Sequence, residues 1–262
     1  ILKSRKGLVI ISIITLFKIL LLSLFSSEYS ESLFIPFVKM FTEGILNPWQ
    51  YYFENGLNLD AFPYHPLMLY LLTPSMFLIK FFSIENIIIS NLIFKLPLFV
   101  ADLVILFTFL RLFPLKKKKV FLYYFCNPII IYAIYIHSQL DIIPMALLFV
   151  GIYFLTLDKL KLSSLLIGLA LVAKLHILIT IPLLFFYLLK KHKIKDVIAY
   201  FSIILVVFIL LDFPYILSEG FQQMVLFNSK QSLLFDSYFN IGKMELLLPI
   251  VSILMVYIHF FN

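Results

Sequence analysis

Few side chains in this 262-residue sequence can do chemistry, and most of them gather between long apolar runs. The richest stretch runs from Glu28 to Pro66. It carries Glu28, Glu31, Glu43, Glu54 and Asp60, the single tryptophan Trp49, and Pro36, Pro48, Pro63 and Pro66. A carboxylate here can accept a proton, and loops held on a rigid scaffold are where binding and catalysis concentrate. Further along stand Lys95 and Asp102, the run His137-Ser138-Gln139-Leu140-Asp141, and Lys174 with His176. Lys95 and Asp102 are two helical turns apart on one face, about 10 Å, too far to pair directly. Either Asp102 bonds a polar group of another helix and Lys95 sits near an interface, or Lys95 holds an anionic head group. Lys174 and His176 could hold a phosphate beside the freed backbone of a broken helix. Gln139 and Asp141 are expected to line a polar cavity. Lys18, alone in an apolar run, faces a neighbouring helix or reaches for an interface.

The elements that must position these groups are set by composition. Of all residues 63% are hydrophobic and 13% charged, and the mean hydropathy is +1.05. Soluble domains average roughly 45–50% apolar and 25% charged, so an all-α, polytopic helical membrane protein is expected. The net charge of +7 comes from lysine clusters between apolar runs, the pattern of loops facing anionic lipid rather than nucleic acid. One cysteine, Cys126, excludes a disulfide framework or a thiolate metal cluster. Phosphate-loop, dinucleotide, zinc-protease and serine-hydrolase motifs are absent from the sequence. A start at Ile1 and an end inside an apolar run at Asn262 suggest a fragment.

About 20 apolar residues cross a bilayer. On that measure the chain reads as a single transmembrane domain over 1–262. Its spans are about 7–26, 86–113, 120–136, 142–157, 163–189 as a broken pair, 197–211 and 244–262, with external loops 27–85 and 212–243. The N-terminus is cytoplasmic. Lys116 to Lys119 and Lys190 to Lys195 must also face the cytoplasm, because basic loops stay inside. For that parity to hold, Pro66 to Phe82 dips into the outer leaflet and returns, and 163–189 breaks near Lys174 to His176. Leu33, Phe34, Phe37, Val38 and Phe41 mark an amphipathic helix lying in the interface, ended by Gly44 and Asn47-Pro48. Phe221, Met224, Val225 and Phe227 mark a second.

The order of motifs resembles the polyprenol-phosphate-sugar-dependent glycosyltransferases of the GT-C superfamily, nearest to GPI mannosyltransferase I (PIG-M-like) and related prokaryotic families. The resemblance rests on Glu31, Gly44-Ile-Leu-Asn47-Pro48-Trp49, Pro63-Tyr64-His65-Pro66-Leu67, Lys95-Leu-Pro97 with Ala101-Asp102-Leu103, Asn127-Pro128, Ser138-Gln139-Leu140-Asp141, and Gly168-Leu-Ala with Lys174 and Pro182. It covers about residues 7–235. The chain departs from the family in offering Glu28 and Glu31 where an aspartate is usual, and His65 where proline is common.

The resemblance implies transfer of a mannose-like hexose, with inversion, from a polyprenyl-phosphate donor to a lipid or glycan acceptor on the external face. Glu31, with Glu28 as its rival, would accept the acceptor's proton. Lys174, His176 and Lys95 would meet the phosphate, and Trp49, Tyr64 and His65 would stack on or bond the sugar. Asp102, Gln139 and Asp141 complete the expected substrate-binding set, and the lipid tail would lie in a groove beside Pro66 to Phe82. No metal ligand set is expected, and a divalent cation is the one cofactor left open. Membrane lipids are expected partners. A secondary transporter and a non-catalytic membrane assembly subunit are the other classes, the first disfavoured because no internal duplication is visible.

Overall fold

The computed structural model describes residues 5–228 and the short segments 238–241, 244–247 and 254–259. Thirteen α-helices are set out along residues 5–228, and residues 254–259 are helical as well: α1 (Arg5–Leu24), α2 (Ile35–Thr42), α3 (Pro48–Glu54), α4 (Pro66–Phe81), α5 (Ile87–Phe94), α6 (Leu96–Leu112), α7 (Lys117–Val120), α8 (Pro128–Ile131), α9 (Ile142–Thr156), α10 (Leu160–Ala173), α11 (Ile181–Lys191), α12 (Ile194–Asp212) and α13 (Glu219–Phe221). π-Helical turns at Tyr29–Phe34, Phe121–Phe125, Tyr132–Ile136 and Gln222–Leu226 extend or join them. Two strands, β1 (Tyr238–Ile241) and β2 (Met244–Leu247), pair antiparallel with Ile241 opposite Met244.

Among the described residues α12 alone is long and apolar enough to cross a membrane, and up to four spans result if each bent pair counts as one. At 1.5 Å per residue its 19 residues reach about 28 Å, close to the hydrocarbon thickness of a bilayer. Two expected spans, 86–113 and 120–136, are bent, and a third bend follows α1. The chain turns 60° between α1 and the Tyr29–Thr42 helix, 43° at Lys95 between α5 and α6, and 49° between Pro114–Phe125 and Pro128–Ile136. Asparagine starts several of these pieces. Asn47, Asn86 and Asn127 each cap a helix through the side-chain oxygen, and Pro48 and Pro128 occupy first-turn positions where a missing N–H costs nothing. Asn47-Pro48 therefore opens α3 as well as following α2.

Several expectations are corrected. The all-α character holds for the described residues apart from one short hairpin: Met244–Leu247, expected to begin a last span, is a strand. Residues 248–253 and 260–262 of that expected span lie outside the described residues. The dip at Pro66 to Phe82 is instead one uninterrupted helix, α4, with Pro74 inside it; the turn comes after Phe82, where Ser83 takes φ 49°. The two amphipathic helices do not lie with their apolar faces on lipid. Phe34, Phe37 and Val38 are buried against Trp49, Tyr52 and Phe62, and Phe221, Met224 and Val225 are buried in the same cluster. Only Phe227 of the second set is exposed. The break expected in 163–189 is present: α10 stops at Ala173, Lys174 is extended, and a 3₁₀ turn, Leu175–Thr180, leads into α11.

Helix directions sort the charges. α6 and α9 run parallel, with Phe109 against Phe149, while Gly151 of α9 lies on Ile167 of α10 and Gly168 of α10 lies on Ile204 of α12. The starts of α6 and α9 and the ends of α1, α10 and α12 therefore share one end of the bundle. Lys95, Asp141, Lys174 and Asp212 sit there. Arg111, Lys116 to Lys119, Lys159, Lys161 and Lys190 to Lys195 fall at the opposite end, where His192 lies 3.8 Å from Asp158.

Candidate functional site

Asp141 stands just before the first turn of α9, and Lys174 is the extended residue at which α10 stops. Because the two helices are antiparallel, the start of one meets the end of the other, and Lys174 Nζ lies 2.5 Å from Asp141 Oδ1. The Tyr64 hydroxyl donates to the same oxygen at 3.3 Å, and the ammonium sits 5.4 Å from the centre of the Tyr64 ring. Burial, with the Asp141 carboxylate beside it, holds the Tyr64 phenol well above its ordinary range, so it stays a donor. The Lys174 side chain is 24% exposed. An ammonium has three N–H groups, so Lys174 can keep Asp141 and still receive an anion. His176 lies within electrostatic reach of both.

Tyr64 also lines a cavity of about 220 Å³, with Tyr29, Phe34, Asp60, Pro63, His137, Ser138 and Gln139. The π-helical turn Tyr29–Phe34 brings its two aromatic ends to the same wall, since its bonds join residues five apart. His137 packs edge-on to Tyr29 and stacks on Tyr132. Asp60 accepts from the Asn228 amide at 3.1 Å. Ser138 ends the Tyr132–Ile136 turn at φ 58°, while Gln139 N–H closes back on the Ala133 carbonyl at 3.0 Å. That is the left-handed helix-end position usually filled by glycine. Its hydroxyl is buried without a partner among the described residues.

A second cavity, of about 470 Å³, is an apolar groove between α4, α6, α9 and α10. Leu71, Pro74, Pro97, Val100, Ala146 and Leu166 line it, and Ile143 brings it within two residues of Asp141.

The other sequence candidates are placed differently. Lys95 is buried at the α5–α6 bend, donates to the Phe25 carbonyl at the end of α1, and feels the charge of Glu31. Glu28 and Glu31 are exposed and are not among the cavity's lining residues, although Tyr29 between them is. Trp49 cannot serve as a sugar platform: it is fully buried, donates to the Phe62 carbonyl at 3.2 Å and packs on Tyr215 and Phe221. His65 is also buried, its Nδ1 2.8 Å from Asp212, and presents no ring face to either cavity. Asp102 is structural. It takes Lys18 at 2.7 Å and the hydroxyls of Tyr135 at 2.6 Å and Tyr124 at 2.8 Å, all buried. No group of three or more His, Cys, Asp or Glu among the described residues could hold a metal ion.

Sequence reasoning missed Tyr29, Phe34 and Asp60 as cavity walls. Nothing in their spacing signals a π-helical turn, whereas Ser138 lay inside a polar run already marked. Against protein-family models, curated proteins and solved structures, the chain finds no match.

Proposed function

We propose that this chain is a multi-pass membrane glycosyltransferase of the polyprenyl-phosphate-dependent GT-C kind, its site on the external face. The observation that carries the reading is the Asp141–Lys174–Tyr64 cluster at the start of α9, a helix whose residues from Ile143 onward line an apolar groove; a cation and a groove on one helix suit an amphiphile with a hydrocarbon tail and an anionic head. The separation of lysine blocks from the site's end supports a cytoplasmic N-terminus, since basic loops remain inside.

In this reading the donor's polyprenyl tail lies along the groove and its phosphate meets Lys174, with His176 beside it. The acceptor oxygen attacks the anomeric carbon from the face opposite the phosphate. The bond from that carbon to the phosphate oxygen breaks, the electron pair leaves with polyprenyl phosphate, and the configuration inverts. The acceptor's proton passes to Glu31, whose charge reaches Lys95. Positive charge at the leaving phosphate stabilises the transition state where negative charge develops.

Membranes containing the full chain, supplied with radiolabelled polyprenyl-phosphate hexoses, test the reading by transfer to lipid or glycan. Lys174→Met keeps an apolar stem and leaves Asp141 to Tyr64 and solvent, so the expected effect is a raised KM for the donor with little loss of folded protein. Glu31→Gln is expected to lower turnover roughly 10²–10⁴-fold, the usual contribution of a general base, and Glu28→Gln far less. Full turnover in both glutamate variants and an unchanged donor KM in Lys174→Met would overturn it.

A further inference from the structure

The lysine end of the bundle holds an apolar slot of about 300 Å³ that the transferase reading does not use. Three elements wall it at helical spacing. α1 gives Leu8, Ile11 and Thr15; α6 gives Leu103, Leu106 and Leu110; the segment after α6 gives Lys117, Phe121 and Phe125. Positions three and four apart share one face of a helix, so each element turns a single stripe toward the same space. From Leu8 to Thr15, or from Leu103 to Leu110, the rise of 1.5 Å per residue makes the slot about 10 Å long and hence roughly 30 Å² in section. That shape suits one extended hydrocarbon chain rather than a ring system or a pair of chains.

Charge is placed at one end of it. Lys117 is exposed whereas Phe121 and Phe125 are buried, so the third wall runs inward from an ammonium to an aromatic floor. Leu8 and Phe107 are exposed along the edge, which opens the slot sideways to lipid. Lys117 belongs to the longest run of lysines in the chain, Lys116 to Lys119, and Arg111 precedes that run at the same end. Lipid tails are as apolar as the leucines that wall the slot, so a tail alone gives no preference and the head group must supply it. Basic clusters at a membrane surface supply it to anionic lipids.

We infer that this slot binds one acyl chain of an anionic phospholipid, drawn from the leaflet at the lysine end, with the lipid's phosphate on Lys117. The inference rests on the membrane reading of the chain and not on transferase chemistry. Native mass spectrometry tests it, with the full chain released from detergent carrying equal amounts of dioleoyl phosphatidylglycerol, phosphatidylethanolamine and phosphatidylcholine. Phosphatidylglycerol should be retained above the other two. Lys117→Gln changes an exposed side chain, so it should fold, and it should lower phosphatidylglycerol retention about 2–5-fold, the worth of one exposed ion pair, with phosphatidylcholine unchanged. Lys193→Gln, at the same end but not among the slot's lining residues, should leave retention as it is. Thr15→Phe fills the slot without altering charge and should also lower phosphatidylglycerol retention. Equal retention of the three lipids would remove the head-group selection and overturn the site. An equal fall in Lys193→Gln and Lys117→Gln would overturn it in favour of the general charge of this end. Undiminished retention in Thr15→Phe would do so by putting the lipid on the surface instead of in the slot.

Discussion

Each buried charge in this chain has been given a different environment, and that decides which can act. Lys18 has one hydrogen-bond acceptor, Asp102, and otherwise rests 3.6 Å over the Phe125 ring. Asp102 has three donors, the lysine and two tyrosine hydroxyls. Removing one partner of a buried pair costs about 3–5 kcal/mol because the other is stranded. Asp102→Asn strands an ammonium that has no other carboxylate partner among the described residues, so it should show that full loss in detergent thermal unfolding. Lys18→Met leaves Asp102 with both phenols and should cost about half as much, on the same scale. Equal losses would mean the tyrosines do not share the charge. The sequence marked both residues as ions needing partners, because charge at membrane depth is expensive wherever it falls. It did not pair them, since the contact spans 84 positions and no local period encodes it. Lys174 and Asp141 were likewise marked singly and joined only by the antiparallel packing of α9 on α10.

Helix periodicity shows that an element has an apolar face and is silent on what covers that face. Leu33 to Phe41 and Phe221 to Phe227 both have the stripe of a helix lying on lipid, yet each stripe covers the other's neighbourhood. Phe37 packs on Trp49, and Trp49 packs on Phe221. Breaks were more legible: asparagine before proline and the Lys174–His176 hinge act through local backbone chemistry, which sequence does record. The contact between α13 and α3 depends on a glycine. A Cβ on Gly220 would lie 2.3 Å from the Trp49 carbonyl oxygen, and backbone cannot step aside as a side chain can. Gly220→Ala should therefore cost about 1–3 kcal/mol or more, as overpacking does, and open residues 212–228 to limited proteolysis. At Gly151 the obstructing atom belongs to the Ile167 side chain. Gly151→Ala should be the milder of the two, and a reversed order would place the stress elsewhere.

Across the whole molecule, charge is divided between the two ends of the bundle, and composition already implied that division because basic loops and acidic loops alternate along the chain. With Cys126→Ser as background, a cysteine at Lys117 should resist impermeant thiol reagent from outside the cell, and one at Asn55 should react. Labelling of Lys117Cys alone from outside would invert the bundle. The acidic end is also where the two expected external loops are fastened together, through His65 to Asp212, the Gly220 N–H to the Gln50 side chain at 3.0 Å, and Asn228 to Asp60. Trp49 sits in the middle of that fastening, enclosed by Tyr215, Phe221 and Phe37. Since the chain has one tryptophan, its fluorescence spectrum is the spectrum of this single contact. Emission should be blue while the loops are closed on each other and move to the red when they part, even with every helix intact. Circular dichroism would not register that event, so the two signals followed together separate opening of this end of the bundle from unfolding of the whole.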